Sequence, residues 1–147
     1  MTKHTNKHYV IIIFIIFAIF IYQYEAADLR IYNALENNKI LQVHCKSKDD
    51  DLGVHQLNLG EFYEFHFLPN YVFPNTLFFC GFVFDDTLHW YNIYDQVRDQ
   101  ERCPDSCYWT IKEPGPCLLD LGYTANCDVW NKGKLHMIND VVRNVIG

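Results

Sequence analysis

Val43-His44-Cys45-Lys46-Ser47-Lys48-Asp49-Asp50-Asp51-Leu52-Gly53 begins as a strand and runs out into charge. Leu41, Val43 and Cys45 alternate with Gln42, His44 and Lys46, which marks a half-buried strand whose inner face carries the thiol. Ser47 to Asp51 is too polar to continue a core strand, and Gly53 closes the segment, so a charged loop is expected there. A one-sided strand needs a sheet around it, and the flanking sequence supplies one. Leu29 to Asn33 alternates in the same way and Glu36-Asn37-Asn38-Lys39 offers a turn, giving a hairpin with Ile40 to Lys46. Val54 to Leu59, ending at Gly60, extends or caps the loop. In Phe62 to Phe67, Tyr63, Phe65 and Phe67 share one side, and Phe62, Glu64 and His66 the other.

Further along, Pro69-Asn70 and Pro74-Asn75 bracket a loop holding Tyr71 and Phe73. Thr76 to Phe84 is nearly continuous apolar chain, as expected of a strand covered on both faces. Asp85-Asp86-Thr87 reads as a turn, and His89 to Tyr94 as an aromatic strand. Asp95 to Asp105, charged and containing Pro104, is expected to be an exposed loop. Cys107, Trp109 and Ile111 share the core face of the next strand. Glu113 to Cys117 is turn chemistry, and Leu118 to Trp130 is a last strand or an ordered tail. Seven or eight such short segments predict an all-β fold, a small antiparallel β-sandwich stapled by disulfides.

Composition agrees. The 147 residues, half of them hydrophobic, with 11 Phe, 10 Tyr and 3 Trp, suit one sheet-rich domain. A net charge of −6 and the lack of a Lys/Arg cluster beyond the first residues exclude a nucleic-acid partner. Lys3 and Lys7 precede an unbroken apolar run from Val10 through Tyr22, followed by Ala26 and Ala27. That layout predicts a signal peptide over 1–27, secretion, and no stable membrane insertion after cleavage, since the run falls short of the ~20 residues of a spanning helix. The folded domain is then expected over 28–130, leaving 131–147 as a tail in which Ile138, Val141, Val142 and Val145 recur at helical spacing. No N-glycosylation acceptor occurs.

Cys45, Cys80, Cys103, Cys107, Cys117 and Cys127 all follow the leader, and an even count in a small exported domain reads as disulfides. Six cysteines permit 15 connectivities, and spacing does not choose among them. Zinc fits poorly, because paired C-x-x-C knuckles are absent.

Reactive constellations are equally sparse. His44 and Cys45 are neighbours in a strand and point to opposite faces, which does not suit a nucleophile and its base. Asp49, Asp50 and Asp51 with His55 lack the alternate spacing of a calcium loop and read as a solvated turn or as a cap on backbone amides. Glu61 with Glu64, or Asp85 with Asp86, resembles a glycosidase pair only in composition. Trp90, Tyr91, Tyr94, Trp109 and Trp130 are read as core rather than as a sugar groove. No catalytic residue, metal or cofactor is expected.

In order, the segment Val43 to Gly53, with His44, Cys45, Lys46, Ser47, Lys48, Asp49, Asp50, Asp51, Leu52 and Gly53, then Thr76 to Cys80, Arg98-Asp99 with Cys103, Cys107 to Ile111, and Gly115-Pro116-Cys117 resemble the hallmark segments of the plant self-incompatibility family, the S-protein homologues. The resemblance covers residues 28 to 130. It implies a secreted plant protein with a small β-sandwich, and some members act in the pistil as a ligand that a pollen surface receptor recognises. Cys45, Cys80, Cys103 and Cys107 match a set the family shares, and Cys117 and Cys127 match positions some members lack. The resemblance therefore implies that Cys117 pairs with Cys127. A non-enzymatic, monomeric ligand for a plant cell-surface receptor is the expected function, with a defence or effector-like protein acting on microbes or a foreign enzyme as the alternative. The receptor-facing candidates are the loops 69–75, 84–89 and 95–106, with Asp85, Asp86, Arg98, Asp99, Arg102 and Asp105.

Overall fold

In the computed structural model, residues 2–22, 26–119 and 125–132 are described. A helix α1 (Thr2–Tyr22) is followed by strands β1 (Ala27–Asn33), β2 (Leu41–Lys46), β3 (Asp51–Leu57), β4 (Phe62–Phe67), β5 (Leu77–Phe84) and β6 (Thr87–Asp95). A short helix α2 (Gln96–Asp99) then precedes β7 (Ser106–Lys112), β8 (Gly115–Leu119) and β9 (Ala125–Cys127). Among the described residues no helix is long and apolar enough to cross a membrane. The helical spacing from Ile138 to Val145 lies outside the described residues.

The strands form a sandwich of two sheets, one ordered β4-β1-β7-β8-β9 and the other β3-β2-β5-β6. Period-two alternation builds it. In β1, Ala27, Leu29, Ile31 and Asn33 are buried while Asp28, Arg30 and Tyr32 are half-exposed. Facing residues fill the layer between the sheets: Leu29, Ile31, Trp109 and Ile111 from one, Leu41, Val43, Phe82 and Ile93 from the other. β5 is buried along most of its length, as its apolar run predicts. Asp85 and Asp86 adopt the left-handed conformation (φ 50° and 54°) that a two-residue hairpin turn requires, closing the Phe84–Thr87 pair.

Three disulfides staple the frame within each layer. Cys45–Cys80 joins registered partners on β2 and β5, Cys117–Cys127 does the same for β8 and β9, and Cys103–Cys107 pins the segment entering β7. Fully buried Asn33 ties the sheets at their far end. Its Nδ2 donates to the carbonyls of Lys39 and Leu57, each at 2.9 Å, and its Oδ1 accepts from the amide of Leu35 at 3.0 Å.

The structure differs from the sequence expectation at five places, the first being that β1 and β2, expected to pair as a hairpin, lie in different sheets, because the chain crosses from one layer to the other between them. There are nine strands among the described residues, and the sandwich is not wholly antiparallel, because β1 runs parallel to β7 with Leu29 opposite Cys107. The charged Ser47–Asp51 stretch is a tight reversal rather than a long loop: Ser47 N bonds Asp50 O at 2.9 Å, and the chain re-enters the sheet as β3 from Asp51. Gly115, placed in a turn, starts β8, and the chain after β9 lies so close that Asp128 O sits 2.0 Å from where a Cβ on Gly115 would be. Asp95 to Asp105, expected to be an exposed charged loop, contains α2 and carries two buried polar side chains, Gln96 and Asp99.

Candidate recognition site at one end of the sandwich

Strand direction decides which connections meet. β4 leaves and β5 enters at the end where β6 stops and β7 starts, so the connections 68–76 and 96–105 are neighbours. The β2–β3 reversal, opposite Phe79 at the start of β5, is at that end too. The turn 84–87 is at the other end, where Lys39 bridges Asp85 (2.6 Å) and Glu113 (2.5 Å). Two of the three candidate loops thus share one end, and Asp85 and Asp86 belong to the opposite one.

Gln96, 3% exposed, joins the two neighbouring connections. Its side-chain oxygen accepts from the Thr76 amide at 3.0 Å, its side-chain nitrogen donates to the Asn70 carbonyl at 3.1 Å, and its amide bonds Thr76 O at 2.9 Å. Asn70 shapes the tip, its Oδ1 accepting from the amides of Val72 (3.1 Å) and Phe73 (3.0 Å) while its own amide bonds Thr76 Oγ1 (2.9 Å). With its backbone satisfied inward, the loop turns side chains outward. Val72 is 73% exposed and Phe73 70%, beside exposed Leu68, Tyr71 and Leu77, and Val97 of α2 is 70% exposed next to them.

The support beneath is a polar lattice. Asp95 caps α2, its Oδ1 accepting from Val97 N at 3.1 Å. Asp99, fully buried, accepts from Asp95 N at 2.9 Å and from both Nε (2.7 Å) and Nη2 (2.6 Å) of Arg98. Arg98 also donates to Tyr91 Oη and Asn92 O, each at 2.7 Å, and Tyr91 donates onward to Asp128, which Arg102 reaches at 3.3 Å. Burial first, and then the Asp128 carboxylate, holds the Tyr91 phenol well above its ordinary range. Both guanidiniums lie over the buried Trp109 ring, 5.6 and 5.7 Å from its centroid. Asp99 is therefore not a receptor-facing residue: it carries a paired charge that fixes the segment from inside, while Asp105 is exposed and Arg98 is half-buried.

The Val43–Gly53 motif has a structural role. A bulge opposite Cys45, with Gly53 at φ 74°, returns the Asp51 carboxylate to His44 Nε2 (2.6 Å), Lys46 Nζ (2.9 Å) and the Gly53 amide (3.1 Å). The bond from His44 foremost, and then Lys46, holds Asp51 well below the usual carboxylate range. His44 is buried on the face away from Cys45, which is bonded to Cys80. Ser47 Oγ accepts from the amides of Asp49 (3.2 Å) and Asp50 (3.0 Å), closing the reversal. Leu52 packs against the core, and Lys48 is exposed.

Glu61 and Glu64, also raised from sequence, have local partners. Glu61 accepts from the backbone and side chain of Asn58, and Glu64 pairs with Arg30. Tyr91, Tyr94 and Trp109 are buried, and Trp130 packs on Phe82 and His89. Among the described residues no group of three His, Cys, Asp or Glu side chains converges as a metal site would require. Sequence reasoning missed Gln96 and Asp128. Asp95 before a short polar run was a legible helix-start signal, but nothing local marks Gln96 as a clamp on residues 20 and 26 positions away.

A family model for the plant self-incompatibility protein S1 matches residues 28–133. S-protein homolog 5 of Arabidopsis thaliana is 48% identical over 90 residues, spanning 61% of this chain and 67% of the relative. S-protein homolog 4 from the same plant is 37% identical over 145 residues, spanning 88% of this chain and 95% of the relative. A solved structure of self-incompatibility protein homologues, described as a widespread family of small, highly stable, secreted plant proteins, superposes with a TM-score of 0.56 at 16% identity. That likeness covers 74% of this chain and 97% of the other, and it agrees with the β-sandwich. With the family model spanning the whole sandwich, this chain belongs to the plant self-incompatibility protein S1 family, the S-protein homologues.

Proposed function

We propose that this protein is exported, loses residues 1–27 as a signal peptide, and acts outside the cell as a monomeric, non-enzymatic ligand for a plant cell-surface receptor. One observation carries the reading: two connections welded together by Gln96 hold an apolar surface outward on a disulfide-stapled frame. Pre-organised loops of this kind lose little freedom on binding. Secretion is supported by the leader's layout and by the exported relatives of the solved structure. The structural engagement of His44, Asp51, Glu61, Glu64 and Asp99 supports a role without catalysis. Self-incompatibility, carried in the family's name, is the first biological setting to test.

The experiment exchanges 68–76 together with 96–105 for the corresponding segments of S-protein homolog 5, and in a second chimera exchanges 84–87 alone. Binding of the purified proteins to plant cells is then compared. Recognition is expected to follow the first exchange; if it stays with the strands, or travels with 84–87, the reading is wrong.

A further inference from the structure

Val72 and Phe73 present a puzzle of energetics. Burying such side chains stabilises a domain, yet Asn70 and Gln96 hold them out at 73% and 70% exposure. The surroundings add a second observation, which is charge. Among the described residues Lys46 is engaged with Asp51, Arg98 with Asp99, and Arg102 with Asp99 and Asp128. Asp49, Asp50, Glu101 and Asp105 are exposed there, against Lys48. An apolar tip in an acidic fringe is the reverse of what an anionic bilayer attracts, since lipid-binding loops carry Lys and Arg around their apolar residues.

Resting on the receptor reading above, we infer that the β4–β5 loop is the anchor of the interface, with Val72 and Phe73 entering an apolar pocket of a partner protein whose rim is lined by Lys and Arg. A buried aromatic anchor within a ring of complementary charge is the usual division of labour at a protein interface. The anchor sets the lifetime of the complex, and the charges set partner choice and encounter rate.

The test uses the secreted full-length product, fluorescently labelled, on protoplasts from pistil, pollen, leaf and root, with and without trypsin pretreatment. Vesicles of phosphatidylcholine with phosphatidylserine serve as the lipid arm. The variants are Val72→Ser/Phe73→Ser, Glu101→Lys/Asp105→Lys, and Leu59→Ser, a control at an exposed apolar residue of the opposite end. All change exposed side chains, and retained melting temperatures check their folding. Saturable, trypsin-sensitive binding is expected, weakened at least about tenfold by the Val72/Phe73 pair and unchanged by Leu59→Ser. The charge reversal is expected to weaken binding several-fold at low salt and less at high salt. Undiminished binding of the Val72/Phe73 variant overturns the anchor and leaves the ligand reading standing. Binding that survives trypsin or appears on vesicles assigns the loop to lipid and overturns the inference, as indifference to the charge reversal overturns the basic rim. Absence of saturable binding in every tissue overturns the ligand reading itself, and the anchor with it.

Discussion

Gln96→Ala separates the two connections while leaving both in place. It removes the acceptor for Thr76 N (3.0 Å) and the donor to Asn70 O (3.1 Å), each part-buried. A hydrogen bond contributes about 1 kcal/mol net, and an orphaned partner that water can partly reach costs little more, so the pair amounts to about 2 kcal/mol. That energy acts locally. The strands on either side keep their ladders and Cys103–Cys107 still closes its segment. Opening of 70–76 should therefore become roughly 30-fold easier while global unfolding changes less, and hydrogen exchange measured amide by amide reads the difference. The amides of Val72 and Phe73, bonded to the Asn70 side chain, are the reporters. Gln96→Glu keeps the acceptor but loses the donor, and is expected to loosen the loop as well. If exchange at 70–76 stays unchanged while the denaturation midpoint falls, Gln96 is ordinary core packing and the clamp argument is refuted.

Other expectations follow from the same accounting. Asn33→Ala orphans three backbone groups between the sheets and should lower unfolding free energy by about 3 kcal/mol, seen as a lower urea midpoint at unchanged slope. Replacing Cys45 and Cys80 together by Ala opens a closure of 35 residues and should cost about 4 kcal/mol, measured by the same titration. Asp51 is held below its ordinary range by His44 and Lys46, so its contribution is full above that range and is lost as the pH falls beneath it. Asp51→Asn should accordingly be less stable near neutrality, with the gap to the parent closing in acid denaturation curves. Gly115→Ala drives a methyl into Asp128 O, so the segment just beyond the Cys117–Cys127 bond should shift away from β8 and lose the Asp128 N–Pro116 O and Tyr91–Asp128 bonds, visible as faster exchange of the Asp128 amide.

The strands were legible wherever one face meets the core and the other meets water. The alternation of Cys107, Trp109 and Ile111 located β7, and the Asp85-Asp86 pair located the β5–β6 hairpin turn. β3 escaped because it is an edge strand with Gly53 at positive φ, so neither face demands an apolar series. The parallel pairing of β1 with β7 left no local trace, because a partner strand is selected by the whole layer rather than by its own residues. Asp99 reads as surface by type and is buried because Arg98 bonds both of its oxygens, with Asp95 N and Arg102 completing the set. At the candidate site, the prolines and Asn70 announced a loop, but its fixed outward display depends on Gln96, a residue whose sequence context says nothing about where it points.

The central position of β1 has a consequence for how the molecule is made. Its two flanking strands are β4, which comes after β2 and β3, and β7, which starts at Ser106. During synthesis β1 can pair on one side once the first half of the chain, through β4, is made, and its other hydrogen-bonding edge stays open until most of the polypeptide has left the ribosome. A nascent chain stalled before that point exposes an apolar edge to its neighbours, so chaperone demand should peak late, just before the parallel partner arrives.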